Sequence, residues 1–488
     1  MSHPFRGYFS LSTAPRLVPT RGQILSVLGL AFGSFLIYLA ISLGAWRGLE
    51  SGIDLGIFDQ AVQSYAAGHA PDVLIKGQAP FNILGDHFSP ITMLLAPFYC
   101  LWPDARLLLW AQAISCAVTV ALIGIYALKR GLGRVAYLLE AAFALSFGLL
   151  SAVAFDFHEV TFGLPLLAWA LWALLERQDW SLMAASICLC LVKEDMPLVV
   201  IGLALVLFVA KRRLFGVLLG LGAGLVMLMI IFVVIPHFSY WGRYTYIGDN
   251  PAVFTSSGGF DGGADSWVIR NAVIFVVTLL LLLGVGLISP LALALLPTVG
   301  MRLLTGNPNY LSLGMQYGVV PVVIVFMALI DGWSRGRSLA GHISVGVRRA
   351  APRWQRWQLL LLLAMVLIGQ PGHWPAWLQA ADLATRSSAQ QDELAPLLAD
   401  IPDGASVAAD VFLLDRLVDR TAVQVAHPLW TDDLGATVAA DYVLLDLETK
   451  AYDNPMEHWA GPLLQRLIDS QDYQLLGSTD RYRLLIKG

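Results

Sequence analysis

Of the 488 residues, 57% are hydrophobic and only 14% charged, and the mean hydropathy is +0.67. Soluble domains carry about 25% charged residues, so this composition, with apolar runs recurring from residue 23 to residue 371, excludes a soluble enzyme and reads as a polytopic helical membrane protein. The net charge of −4, with no basic block, leaves no footprint for nucleic acid.

In chain order, residues 1–22 are polar, contain Arg6, Arg16 and Arg21, and read as a cytoplasmic segment. The run Ile24–Trp46 reads as a signal-anchor rather than a cleavable signal, because no A-x-A site follows it. Predicted spans are 23–45, 107–128, 135–154, 160–176, 180–192, 196–210, 214–236, 268–288, 289–304, 312–331 and 357–371. This corresponds to about 11–13 transmembrane helices, a count that allows for the short and ambiguous segments. The basic loops 129-KRGLGR-134, 211-KRR-213 and 335–356 belong on the cytoplasmic side by the positive-inside rule. That parity holds if 88-FSPITMLLAPFYCLWP-103 folds back as a re-entrant or interfacial helix instead of crossing. The loops 46–88, 155–159, 193–195, 237–267 and 305–311 and the C-terminal tail then share the opposite face. Cys100, Cys116, Cys188 and Cys190 all lie in apolar segments and read as small buried hydrophobes.

The ionisable residues collect in those loops. The first loop carries 53-IDLGIFDQAVQSY-65 and 85-GDHFSP-90. On a helix starting near Ile53, Asp54 and Asp59 stand about 140° apart, with Leu55, Ile57, Phe58 and Val62 forming an apolar side suited to an interfacial helix. Asp54 falls in the first turn, where the helix N-terminus favours an anion. Each acid reads either as a cap on a solvated face or as a catalytic carboxylate at the membrane surface. Asp86 and His87 either cap a helix start before Pro90 or bind a phosphate or metal; one Asp–His pair is a weak metal signal. No metal site is indicated elsewhere, and the cofactor is left unknown.

Further on, 155-FDFHE-159 places Asp156, His158 and Glu159 among aromatics, and Lys193, Glu194 and Asp195 interrupt an apolar run. The second tripeptide is either a hairpin tip or a group that engages phosphate and tunes a neighbouring acid. In 237-HFSYWGRYTYIGDN-250 the aromatics suit the lipid headgroup level. There Arg243 suits bidentate phosphate recognition; Arg270 and Arg302 are weaker candidates for that role.

From about residue 372 the composition changes. Strands are predicted near 405–410, 422–427 and 441–447, amphipathic helices at 411–419 and 457–470, and a closing hairpin at 473–488. The alternation indicates a small α/β domain over 372–488, without a Gly-rich phosphate loop or a nucleophile elbow, beside a membrane domain over 23–371. No internal repeat of the kind that builds many transporters is evident.

The combination of 54-DLGIFDQ-60, 85-GDHFSP-90, 155-FDFHE-159 and 193-KED-195, over about residues 20–335, resembles a bacterial family of polytopic membrane proteins related to the GT-C superfamily. GT-C enzymes are glycosyltransferases that use polyprenyl-phosphate sugars. The resemblance implies transfer of a sugar from such a donor to an extracytoplasmic acceptor, inverting the anomeric carbon. An acid of the first loop would be the general base: Asp54 matches best, with Asp59 or Asp86 as alternatives. His87, Lys193 and Arg243 would hold the lipid phosphate, and Asp156, His158, Glu159, Glu194 and Asp195 complete the predicted substrate-binding set. The protein would lie in the bacterial inner membrane with its C-terminal domain extracytoplasmic. The chain departs from the better-known pattern: it lacks an adjacent Asp–Glu pair after the first span, and H-x-x-P replaces paired prolines. The competing readings are a transporter or flippase of a lipid-linked or anionic substrate, and a non-catalytic envelope scaffold.

Overall fold

A computed structural model describes residues 17–76, 81–246, 264–304, 308–340, 357–358, 360, 362, 376–426, 440–448 and 459–488. Within these, seven helices are long and apolar enough to cross a membrane: Arg21–Arg47, Arg106–Lys129, Arg134–Phe155, Glu159–Glu176, Arg213–Phe238, Arg270–Ile288 and Met315–Gly336. Four shorter apolar helices accompany them, at Pro90–Tyr99, Asp179–Leu189, Met196–Val209 and Pro290–Leu304. Each falls on a predicted apolar run. Most of the predicted span 357–371 lies outside the described residues.

The Pro90–Tyr99 segment begins as a 3-10 helix, Pro90–Leu95, and widens into one α-helical turn, Ala96–Tyr99. At 1.5–2.0 Å rise per residue it extends about 15–20 Å, well short of a hydrocarbon core of about 30 Å.

The chain divides into two compact units. The first comprises residues 1–39, 84–91 and 111–382 and holds most of the apolar helices. In it the Tyr38 hydroxyl donates to the Ala144 carbonyl at 2.7 Å, a polar tie between two apolar helices. Gln112 fastens the 155–159 turn to the Arg106–Lys129 helix. Its Nε2 donates to the Asp156 carbonyl at 3.0 Å and its Oε1 accepts from the His158 N–H at 3.0 Å. Ser115 adds a bond from Oγ to the Thr161 carbonyl at 2.8 Å. Backbone groups in an apolar interior must find partners of this kind, so two polar side chains on an apolar helix fix where the next turn sits.

The second unit comprises residues 40–83, 92–110 and 383–488. Its centre is a five-stranded sheet in the order Ala422–Val425, Ser406–Ala409, Tyr442–Asp446, Tyr482–Lys487, Tyr473–Ser478. The first three strands are parallel and the last two form the closing antiparallel hairpin. Central parallel strands are covered on both faces, and Val407, Ala408 and Ala409 are accordingly all buried. The Ala460–Asp469 helix packs Leu463 and Leu467 on one face of the sheet. The predicted helix at 411–419 is instead a run of turns with a single 3-10 turn, Leu414–Arg416. Val411, Leu413, Leu414, Leu417 and Val418 are all buried there, so the compact turn directs inward the same residues that a helix would have gathered on one face.

The other face of the sheet is completed by the first loop. Ile57 and Ala61 of the Ile53–Ala66 helix, with Val73, Ile75, Phe81 and Ile83, share one apolar cluster with Leu394, Leu414, Val423 and Leu484. Gln60 seals the join: its Nε2 donates to the Val423 carbonyl at 2.8 Å, and its Oε1 accepts from the N–H groups of Leu74 and Ile75 at 2.9 and 3.1 Å. Gly56 lies so close to Leu414 and Ile75 that a Cβ there would approach within 2.9 Å of the Ile75 side chain. The expected interfacial helix is therefore a core helix. Leu55, Ile57, Phe58 and Val62 are all buried in protein, and Ile57 and Ala61 face the apolar side of the α/β sheet.

Candidate active site

The first unit draws together ionisable groups from three separate loops. A strap at residues 85–91 is pinned at one end where the Ile91 N–H donates to the Leu191 carbonyl at 3.1 Å. At the other end Gly85 lies against the backbone of Phe238 and Ser239, where a Cβ would come within 2.4 Å. Glycine is needed there for the close approach of two backbones. Between the pins, His87 Nδ1 donates to Glu194 Oε1 at 2.8 Å and the Phe88 N–H donates to Glu194 Oε2 at 3.1 Å. The Tyr246 hydroxyl meets His87 Nε2 at 3.1 Å and donates to Asp86 Oδ1 at 3.3 Å, with its ring stacked on the imidazole. The Tyr244 hydroxyl reaches Glu194 Oε1 at 3.4 Å.

One residue earlier, Lys193 Nζ donates to Glu159 Oε1 at 2.6 Å, and Glu159 is almost fully buried. A buried ion pair of this quality is costly to assemble and more costly to break. Burial opposes the charge on Lys193, but Glu159, Glu194 and Asp195 outweigh it and hold the amine well above its ordinary range. For His87 burial is likewise overcome, chiefly by Glu194, and its pKa is raised. Burial penalises Glu194 too, yet the facing His87 and Lys193 keep it below the usual carboxylate range. Asp195 differs. Burial dominates, Lys193 only partly compensates, and its carboxyl is pushed up to about 6.

Lys193 and Asp195 open onto a cavity that is also lined by Arg302, Tyr310, Gln316 and Tyr317. Arg302, buried on the Leu296–Leu304 helix, donates from Nη2 to the Tyr317 carbonyl at 2.6 Å. A lysine, an arginine and two phenols around one cavity form an environment that favours an anion.

Of the predicted site residues, Asp86, His87, Glu159, Lys193, Glu194 and Asp195 thus gather in one cluster. Asp156 and His158 are buried beside it in the 155–159 turn. Asp156 accepts from the Phe157 N–H at 2.8 Å, and His158 stacks on Phe155. Arg243 is exposed. Tyr244, Tyr246, Tyr310 and Tyr317 were not predicted, and Arg302 was a weaker candidate. The spacing 244–246, which aims two phenols at one strap, was the available signal. Among the described residues no three of His, Cys, Asp and Glu gather as a metal site would need.

In the second unit, Asp54 is half-buried in the first turn of the Ile53–Ala66 helix. Asp59 is 0% exposed and neither carboxylate oxygen closes a hydrogen bond, although the Tyr99 hydroxyl faces it. Burial above all, with Asp415, Asp104 and Asp419 nearby, raises its pKa well above the carboxylate range. A base that must meet a polar acceptor needs access to it, and a sealed Asp59 lacks that access.

The apolar helices and their packing define a multi-pass membrane protein. The chain belongs to the family described as "Predicted membrane protein (DUF2079)", whose model matches residues 47–482. Among solved structures it is similar to the crystal structure of ArnT from Cupriavidus metallidurans bound to undecaprenyl phosphate. The two are 13% identical, the match covers 96% of this chain and 98% of that one, and the TM-score is 0.54. No curated protein matches the sequence significantly.

Proposed function

We propose that this protein is an integral membrane glycosyltransferase. It moves a sugar from a polyprenyl-phosphate donor to an extracytoplasmic acceptor of the cell envelope, whether glycan, lipid or protein. The observation that carries the reading is the cavity where Lys193 and Arg302 meet, walled by Tyr310 and Tyr317, on a fold like that of ArnT, which was crystallised with undecaprenyl phosphate.

In this reading the cavity holds the lipid phosphate. The acceptor hydroxyl oxygen attacks the anomeric carbon from the side opposite the phosphate. The bond from that carbon to the phosphate oxygen breaks, and polyprenyl phosphate leaves with its charge stabilised by Lys193 and Arg302. The acceptor's proton passes to an acid of the first loop, for which Asp54 is the best match by its distance in sequence from the first span. Glu159 and Glu194 act through others: Glu159 holds the Lys193 amine, and Glu194 holds His87 and the strap. The protein lies in the bacterial inner membrane, with residues 1–22 cytoplasmic and the 372–488 domain on the extracytoplasmic side, as the basic loops 129–134 and 211–213 favour.

The test is a transfer assay on purified protein in lipid, with radiolabelled polyprenyl-phosphate sugars and an envelope extract as acceptor. Wild type moves label, and Asp54→Asn folds normally but does not. Normal turnover by Asp54→Asn would sink the assignment of the base. Absence of transfer from every donor, with tight lipid binding retained, would favour a flippase.

A further inference from the structure

The cavity beside Lys193 and Arg302 carries a feature that an anion alone does not satisfy. Two of its lining side chains present buried oxygens without hydrogen-bond partners: Asp195 Oδ1 and Gln316 Oε1. Both are acceptors, and leaving a buried acceptor unpaired is costly. A bare phosphate would aggravate the problem, because its oxygens would face the Asp195 carboxylate. The groups around Asp195 are Lys193, Arg302, Glu194, Glu159, Tyr244 and Tyr310, and the closest amine, Lys193, is already engaged by Glu159. The cavity thus offers cations to an anion and also two oxygens that require N–H or O–H donors.

We infer that Asp195 and Gln316 are specificity-determining residues that accept hydrogen bonds from the hydroxyl or amino groups of the donor sugar, so that the site distinguishes a glycosylated lipid phosphate from the bare carrier. This rests on the glycosyltransferase reading and deepens it. A glycosyl phosphate meets all four demands with a single ligand, since it bears negative charge at one end and several hydrogen-bond donors at the other. The same arrangement favours release of the product: once the sugar has left, its hydroxyl donors are gone and the remaining phosphate monoester brings more negative charge toward Asp195.

The experiment measures binding of undecaprenyl phosphate, and of a panel of undecaprenyl-phosphate hexoses and pentoses, to full-length protein in nanodiscs. Wild type binds at least one glycosylated carrier about tenfold or more tightly than the bare carrier, the scale of one hydrogen bond to a buried acceptor. Gln316→Met, similar in volume but without the acceptor, weakens the glycosylated form and leaves the bare form unchanged. Asp195→Asn strengthens the bare form by removing the like charge. Both variants therefore lower the ratio, by opposite routes, whereas a merely structural defect would shift both ligands in parallel. A wild-type ratio near one, or a ratio unchanged in both variants, overturns the inference. Failure of wild type to bind either form overturns the glycosyltransferase reading itself.

Discussion

Glu194→Gln is the sharpest perturbation of the cluster, because it removes a charge and almost nothing else. Glu194 accepts from His87 Nδ1 at 2.8 Å, from the Phe88 N–H at 3.1 Å and, more weakly, from Tyr244 at 3.4 Å. A glutamine keeps one carbonyl oxygen for the Phe88 N–H but turns an amide toward His87 and no longer stabilises an imidazolium. A hydrogen bond to a charged group contributes about 1.5–3 kcal/mol, and breaking a buried pair costs about 3–5 kcal/mol. His87 can shed its proton, which caps the loss, so about 3 kcal/mol is expected near pH 6. The sign follows from the two shifts. The raised pKa of His87 gives stability that is complete below its unfolded value and lost as pH climbs through the folded one. The lowered pKa of Glu194 gives stability that is present above its unfolded value and lost as pH falls through the folded one. The gap between wild type and Glu194→Gln is therefore widest at about pH 5–6.5 and shrinks to about 1 kcal/mol, a neutral hydrogen bond, as pH climbs through the raised pKa of His87. Thermal unfolding in detergent, followed by tryptophan fluorescence across that range, reads the gap as a Tm difference of several degrees. A double-mutant cycle with His87→Gln isolates the pair. A coupling that is zero, or that does not change with pH, refutes the reasoning.

Asp59→Asn should stabilise the protein by about 1–2 kcal/mol near pH 7.5, since a buried carboxyl with no hydrogen-bond partner favours its neutral form. Its raised pKa means that this advantage grows as pH rises above about 4 and vanishes below it; equal stability of both proteins at neutral pH contradicts this. Lys193→Met should reduce transfer by about a hundredfold or more, the scale of losing one preorganised charge, and lower the unfolding temperature as well, since Glu159 is left buried without its partner; kcat near wild type excludes Lys193 from phosphate binding. Gly85→Ala should displace the strap from Phe238 and lower both the unfolding temperature and turnover, and a crystal structure with His87 still on Glu194 would argue against this.

The membrane part was legible because hydrophobic runs of span length carry their own signal, and the strands at 406–409, 422–425 and 442–446 because short apolar runs separated by polar segments mark them. The acidic and basic residues of 85–90, 155–159 and 193–195 were legible as a set, since charge amid apolar sequence is costly. Their partners were less so. His87 and Glu194 are 107 residues apart, and nothing local in either tripeptide names the other. Tyr244 and Tyr246 carried the same aromatic signature as headgroup anchors, so composition alone could not separate a site phenol from an interfacial one. The apolar side of the Ile53–Ala66 helix was read correctly as apolar, but its pattern is the same whether lipid or a β-sheet covers it. The segment 411–419 misled because its apolar residues have helical spacing, and a compact run of turns buries the same residues.

That covering has a consequence for how the protein is made. Gln60 emerges from the ribosome early, yet the Val423 carbonyl it bonds lies 363 residues downstream, and the sheet closes only when Tyr482–Lys487 pairs with Tyr442–Asp446. Until then Ile57, Ala61 and Phe81 have no protein core to enter. Domains ordinarily fold as they are synthesised, N-terminal parts first; here the acidic loop that holds Asp54 must wait for the last strand. A nonsense codon between residues 383 and 482 would leave the membrane helices inserted and the loop unassembled, so translation through Tyr482–Lys487 acts as a proofreading step on the first loop.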